Sequence, residues 1–499
     1  MQVLVINKLN FAVFVDNFNK FLASKFMIPV WMCAFMMSHI FALETAMLTI
    51  IAFSFIYIMI SKTHIRAMLP LLLMCFYLTS NTYSDILNGY MIQRLWYVIC
   101  IAFVMIIAFV IGVYKRKLKF RLTWGFLGVL IMGASLIPGG IISQEYDILN
   151  FAGGLMITAF YVAFYLVAAF VSKEIEFEYF AQVVVASSIV VMMQLTLIYI
   201  DRNIFYYIQN HTFAVIKAHI YLGWGISNLI APMIAVGMPF TVYLMVKHKN
   251  PMFMFTILVL QTAAAALTLS RALMIFSTPF AIIGIIYAIA RHNRRGRWQL
   301  AVGLAVVLIS IIIVAQIFWE QLVEFWEIFM DGRGRDELWH DALDAFLANP
   351  IFGAGVAYRL NDPFRMSPLF LVHNTPLQFM MWGGIIGFLA FMLHSVQVLA
   401  TAFRRPSEKR LILLFAFGMI YAHSMLDVMV FFPFTLLFYI FFMSIMDADS
   451  INSGGFSLVT RKDKQEVVKE LKHSGTVYGN NLDARGELPW IFKAVQNIF

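Results

Sequence analysis

Two residues are placed for chemistry because their surroundings are otherwise apolar. Arg271, in Thr268-Leu269-Ser270-Arg271, is the single charge in the apolar run 252–290. His373, in Val372-His373-Asn374-Thr375-Pro376-Leu377-Gln378, stands directly before a helix start. There Thr375 reads as N-cap, Pro376 as the first helical residue and Gln378 as the return partner of a capping box. The positive end of that helix's dipole attracts anions such as phosphate. A guanidinium grips phosphate with a planar fork of donors, and an imidazole beside the site can take a proton. Together the two side chains suit proton transfer next to a phosphate.

The elements that must position them span a membrane. Of 499 residues, 62% are hydrophobic and 13% charged, against roughly 45–50% and about 25% in soluble domains. Apolar stretches of the length that crosses about 30 Å of hydrocarbon recur along the chain. The expected fold is all-α, a polytopic helix bundle of about fourteen spans (twelve to fourteen). They cover 1–446, with one long external loop, 319–372, and a cytoplasmic tail, 447–499. As a single helix the run 252–290 would be about 58 Å long, too long to cross once, so it folds back at Arg271. Cys33, Cys75 and Cys100 all lie in apolar stretches, which offers no disulfide framework or metal site.

Charge sets the orientation. Lys62, Lys115, Arg116, Lys247, Lys249, Arg291, Arg294, Arg404 and Arg410 fall in alternate loops, with both termini on their side. By the positive-inside rule that side is cytoplasmic, and the basic balance needs no nucleic acid. All but eight of the 36 Lys and Arg fall there. The exceptions are Arg94, Arg202, Lys217, Arg271, Arg333, Arg335, Arg359 and Arg365, and all but Lys217 are arginine. External positive charge works against topology, so it implies a use, although pairing with acids of the loop 319–372 would account for some.

Within that loop Trp339, Leu343, Phe346 and Leu347 share one stripe of a helix that Pro350 limits. Gly353 and Gly355 follow in a turn that would let backbone approach a ligand. Gly383 and Gly387 form a small-xxx-small pair for close helix packing. His423 and Asp427 lie near the outer turn of the last apolar run.

In order, spacing and sidedness these residues resemble the O-antigen ligase/polymerase superfamily of polytopic bacterial membrane glycosyltransferases, over about 220 to 445. The match takes in Gly225-Ile226-Ser227-Asn228, Ser270-Arg271 and Gly332-Arg333-Gly334-Arg335 ahead of Trp339. It continues through Asn349-Pro350-Ile351-Phe352-Gly353-Ala354-Gly355, His373-Asn374, Gly383-Gly384-Ile385-Ile386-Gly387, and His423 with Asp427. The resemblance implies metal-independent, cofactor-free transfer at the outer face of the cytoplasmic membrane. The donor would be an undecaprenyl-diphosphate-linked oligosaccharide, the acceptor a hydroxyl of a glycan or lipid. Arg271, with Arg333 or Arg335, would hold the diphosphate, and His373 would act as general base, inverting the anomeric centre. Ser270, Trp339, Gly353, Gly355, Asn374 and Asp427 would support them.

The acceptor would separate a repeat-unit polymerase from an O-antigen-type ligase or a protein-modifying branch. A secondary transporter or lipid-linked glycan flippase is the reading from another class; such proteins place ionisable residues mid-membrane on broken helices. The amphipathic end of the tail, with Trp490, Ile491, Val495 and Ile498, could rest on the inner membrane surface.

Overall fold

A computed structural model describes residues 13–61, 63–78, 95–116, 123–143, 147–173, 175–210, 213–330, 335–358, 371–404 and 406–452. Arg94, Arg333, Arg359, Arg365 and the tail from 453 lie outside the described residues. The fold is all-α, as expected. Strands among the described residues are β1 (Tyr221–Leu222) and β2 (Gly225–Ile226), one antiparallel pair. Apolar runs become helices because a helix satisfies its own internal backbone groups, which lipid cannot do.

The first half is scaffold. α1 (Val13–Leu22) and α2 (Met27–Phe41) meet at 70°. They precede α3 (Glu44–Ile60), α4 (Met68–Met74), α5 (Leu95–Lys115) and α6 (Trp124–Ala134). α7 (Ile148–Ser172) and α8 (Phe177–Asp201) follow, then short α9 (Ile204–Gln209) and α10 (Phe213–His219). α11 (Ser227–Ala235) and α12 (Gly237–Lys247) make the most enclosed span, 94% buried.

The second half carries the site. α13 (Met252–Leu267) and α14 (Arg271–Arg291) form the expected hairpin. α15 (Arg294–Ile317) is only 6% buried, its apolar side chains facing outward as lipid requires. The loop 319–372 holds α16 (Trp319–Met330) and α17 (Arg335–Ala348), followed by α18 (Thr375–Phe403), α19 (Glu408–Ser424) and α20 (Pro433–Asn452). Rings lock α8, α12, α19 and α20 together: Phe180 to Phe240 at 5.4 Å, Phe240 to Phe442 at 5.5 Å and Phe417 to Phe442 at 5.9 Å. Such pairs contribute about 0.5–1.5 kcal/mol each beyond burial.

Each expected span overlaps a helix. Six helices are long and apolar enough to cross a membrane by length and composition, seven if α1 and α2 make one bent span. α20 runs on to Asn452, beyond the expected end of the bundle at 446. Asp447 and Asp449 looked like the start of a polar tail, but both have partners. Asp447 accepts from the Tyr165 hydroxyl (2.5 Å) and the Gly125 amide (3.0 Å), and Asp449 accepts from the buried Arg410 (2.7 Å).

The two ends of the bundle differ in charge chemistry. At one end Lys247 pairs with Glu408 (3.1 Å) and Arg410 with Asp449. At the other lie the α13–α14 turn, the start of α17, the start of α18 and the turn after α19.

A glycine interlock fastens the loop after α17 to α18. Gly384 (φ 62°, ψ −154°) breaks that helix and frees backbone groups on both sides of the break. The Ile385 and Ile386 amides donate to the Pro350 and Ile351 carbonyls (2.8 and 3.5 Å). The Met381 and Trp382 carbonyls accept from the Ala354 and Gly355 amides (2.7 and 3.2 Å). A Cβ on Gly353 (φ 72°) would lie 2.5 Å from the Gly384 nitrogen, so only glycine fits there. The turn expected to let backbone approach a ligand is packed instead: the backbone of α18 fills the space beside Gly353, and the Asn150 side chain fills that beside Gly355. Gly383 and Gly387 both pack against Leu136, within the chain.

Candidate active site

The start of α18 fixes His373. The helix cap is Asn374, one residue earlier than expected; its Oδ1 accepts from the Leu377 amide at 3.0 Å. The Thr375 hydroxyl is drawn instead to the Asp427 carbonyl (3.0 Å), and Gln378 Oε1 accepts from the Val372 amide (2.9 Å). Asn374 Nδ2 also donates to the Met425 carbonyl, and Trp339 Nε1 to the Val372 carbonyl, both at 3.0 Å. Held on both sides, His373 takes a left-handed backbone (φ 52°). Such a conformation costs about 1–3 kcal/mol and persists where neighbours over-determine it.

Asp427 lies in the turn after α19, where its Oδ1 is 3.0 Å from His373 Nδ1. The carboxylate is almost fully buried and the imidazole about a third exposed. Burial pushes Asp427 up, but the hydrogen bond and charge of His373 prevail and hold it below the usual carboxylate range. The Val428 amide donates to the same oxygen at 2.9 Å. An ionised carboxylate only accepts, so a proton sits on Nδ1, and in the neutral ring the lone pair is then on Nε2. That is the tautomer of a base.

Three cations stand nearby: Arg335 and Lys217 are charged neighbours of Asp427, and Arg271 is a charged neighbour of those two. Arg271 opens α14 after a turn in which Leu269 is left-handed (φ 55°) and Ser270 is buried. Thr268 braces the turn through its hydroxyl to the Ala265 carbonyl (2.6 Å). Arg335 opens α17. Burial lowers its guanidinium below the usual arginine value, nearby Asp427 opposes the shift, and Arg271 adds to it. The third cation is Lys217 on α10, half-buried and without a hydrogen bond or ion pair to the described residues. Burial, then Arg335 and Arg271, push its ammonium down, against the pull of Asp427. His423, 2% exposed, has Asp427, Arg335 and Lys217 as charged neighbours. Its ring faces the backbone of Asn228, yet neither nitrogen makes a well-formed hydrogen bond.

The structure thus gathers Arg271, Arg335, His373 and Asp427, with Thr268, Asn374 and Trp339 bracing the backbone around them and Ser270 buried in the turn before Arg271. Sequence reasoning gave Lys217 no role; its only signal was a positive charge on the outer side. Arg202 is stacked over the Tyr221 ring at 3.5 Å and donates to the His219 carbonyl at the end of α10. Among the described residues, no three His, Cys, Asp or Glu side chains converge as metal ligands.

No curated protein and no solved structure matches the chain. A family model described as O-Antigen ligase matches residues 256–392, which include Arg271, Arg335 and His373 but neither Lys217 nor Asp427. That match supports the resemblance to the O-antigen ligase/polymerase superfamily over this stretch.

Proposed function

We propose that this multi-pass membrane protein moves glycan from an undecaprenyl-diphosphate carrier to an acceptor hydroxyl at the outer face of the cytoplasmic membrane. It acts as a repeat-unit polymerase or an O-antigen-type ligase in surface polysaccharide synthesis. The observation that carries the reading is the His373–Asp427 pair, 3.0 Å apart, with Arg335 a charged neighbour of Asp427 and Arg271 a charged neighbour of Arg335. The positive-inside rule puts these groups outside, opposite the basic end at Lys247 and Arg410.

In this mechanism Nε2 of His373 takes the proton of the acceptor hydroxyl while its oxygen attacks the anomeric carbon of the donor sugar. The bond from that carbon to the diphosphate oxygen breaks, and its electron pair stays on the phosphate. Attack opposite the leaving group inverts the centre. Asp427 steadies the imidazolium that forms, and Arg271 and Arg335 face the charge gathering on the leaving phosphate.

Purified protein given a synthetic lipid-diphosphate glycan and an acceptor tests this. Elongated or transferred product that is lost in Arg271→Ala supports the reading. Unchanged transfer in that variant removes the arginine from the chemistry. In cells, loss of a polymerase leaves single repeats, whereas loss of a ligase leaves long chains on the carrier.

A further inference from the structure

The turn that ends in Arg271 is held by a residue from outside the matched stretch. α13 stops at Leu267, and a helix that ran on would give the Leu267 carbonyl to the Arg271 amide. Instead that carbonyl accepts from the Tyr199 hydroxyl on α8, at 2.5 Å. Tyr199 is 3% exposed, and its ring lies 5.7 Å from that of Phe205. Arg202, directly after α8, donates to the His219 carbonyl at 2.5 Å, so the end of α8 anchors two separate segments.

The turn has need of such an anchor. Leu269 is left-handed, a conformation that persists where the surroundings over-determine it. The bonds within the turn are local. The Thr268 amide donates to the Ala264 carbonyl (3.1 Å), the Leu269 amide to the Ala266 carbonyl (2.9 Å) and the Ser270 amide to the Thr268 hydroxyl (3.3 Å). These bonds shape the turn but fix it only to its own helix, whereas the Tyr199 hydroxyl fixes it to α8. Earlier in α13, Gln261 donates to Ser188 on α8 at 2.7 Å, so the two helices stay tied when that hydroxyl is removed.

We propose that Tyr199 is a positioning residue for Arg271: its hydroxyl holds the α13–α14 turn so that the guanidinium meets the donor diphosphate in one orientation. The inference rests on the glycosyl-transfer reading and adds to it a residue that the matched stretch, 256–392, does not contain. A planar guanidinium binds phosphate through paired donors whose direction matters, so a small shift of its backbone loses part of that binding.

The test is a double-mutant cycle on purified full-length protein. Wild type, Tyr199→Phe, Arg271→Ala and the double variant are each titrated with undecaprenyl diphosphate. Tyr199→Phe removes the hydroxyl and keeps the ring. It should weaken the lipid about threefold to tenfold, the worth of one neutral hydrogen bond, and raise KM for a synthetic lipid-diphosphate glycan by the same factor. KM for the acceptor should stay within about twofold. In the Arg271→Ala background the same substitution should change lipid affinity less than about twofold, because the group it positions is gone. Equal losses in the two backgrounds, equal rises in both KM values, or no loss in Tyr199→Phe overturn the positioning role and leave the transfer reading standing. Wild type that neither binds the lipid nor transfers glycan overturns both.

Discussion

The His373 imidazole and the Asp427 carboxylate meet across 54 residues of chain, Nδ1 to Oδ1 at 3.0 Å. A second tie, from the Thr375 hydroxyl to the Asp427 carbonyl, holds the two segments in register. A flexible pair would reach this geometry only occasionally; here backbone and side chain both enforce it.

Asp427→Asn keeps the size of the side chain but removes the charge that stabilises an imidazolium and turns one acceptor oxygen into a donor, so the tautomer is no longer enforced. Single-turnover transfer should fall by about a hundredfold or more while carrier binding stays within a few fold. A wild-type rate in this variant would show that Asp427 does not assist His373.

Gly353→Ala places a Cβ 2.5 Å from the Gly384 nitrogen on a left-handed backbone. The variant should lose about 1–3 kcal/mol, read as a lower Tm in detergent. An unchanged Tm would mean that the interlock is not a tight backbone contact.

Asn374→Ala and Thr375→Ala separate the two capping candidates. Loss of the Asn374 cap should cost about 1 kcal/mol of stability. Thr375→Ala should mainly loosen the tie to Asp427, slowing transfer more than it lowers the Tm. The reverse pattern would restore Thr375 as the cap.

Much of this was readable in the chain. Long apolar runs dictate helices wherever lipid is the solvent, and the length of the run 252–290 forces the turn at Arg271. Positive charge on the outer side marks Arg271 and Arg335 because topology disfavours it. Other features depend on partners far away in sequence. Asn374 and Thr375 are both good caps, and the Asp427 carbonyl decides between them by taking the threonine. The glycines at 353 and 355 read as a ligand-admitting turn because nothing local shows that Gly384 breaks α18 and leaves backbone groups for them. Asp447 looks like tail until Tyr165, on a distant helix, accounts for it. Lys217 is one lysine on a short helix, and only folding sets it beside Arg335.

The most direct measurement is transfer by purified wild type and His373→Ala, with a synthetic lipid-diphosphate glycan, an acceptor and a chelator present. The account predicts extended or transferred glycan from wild type, and none from a His373→Ala protein that still binds undecaprenyl diphosphate. Full transfer by His373→Ala would contradict it.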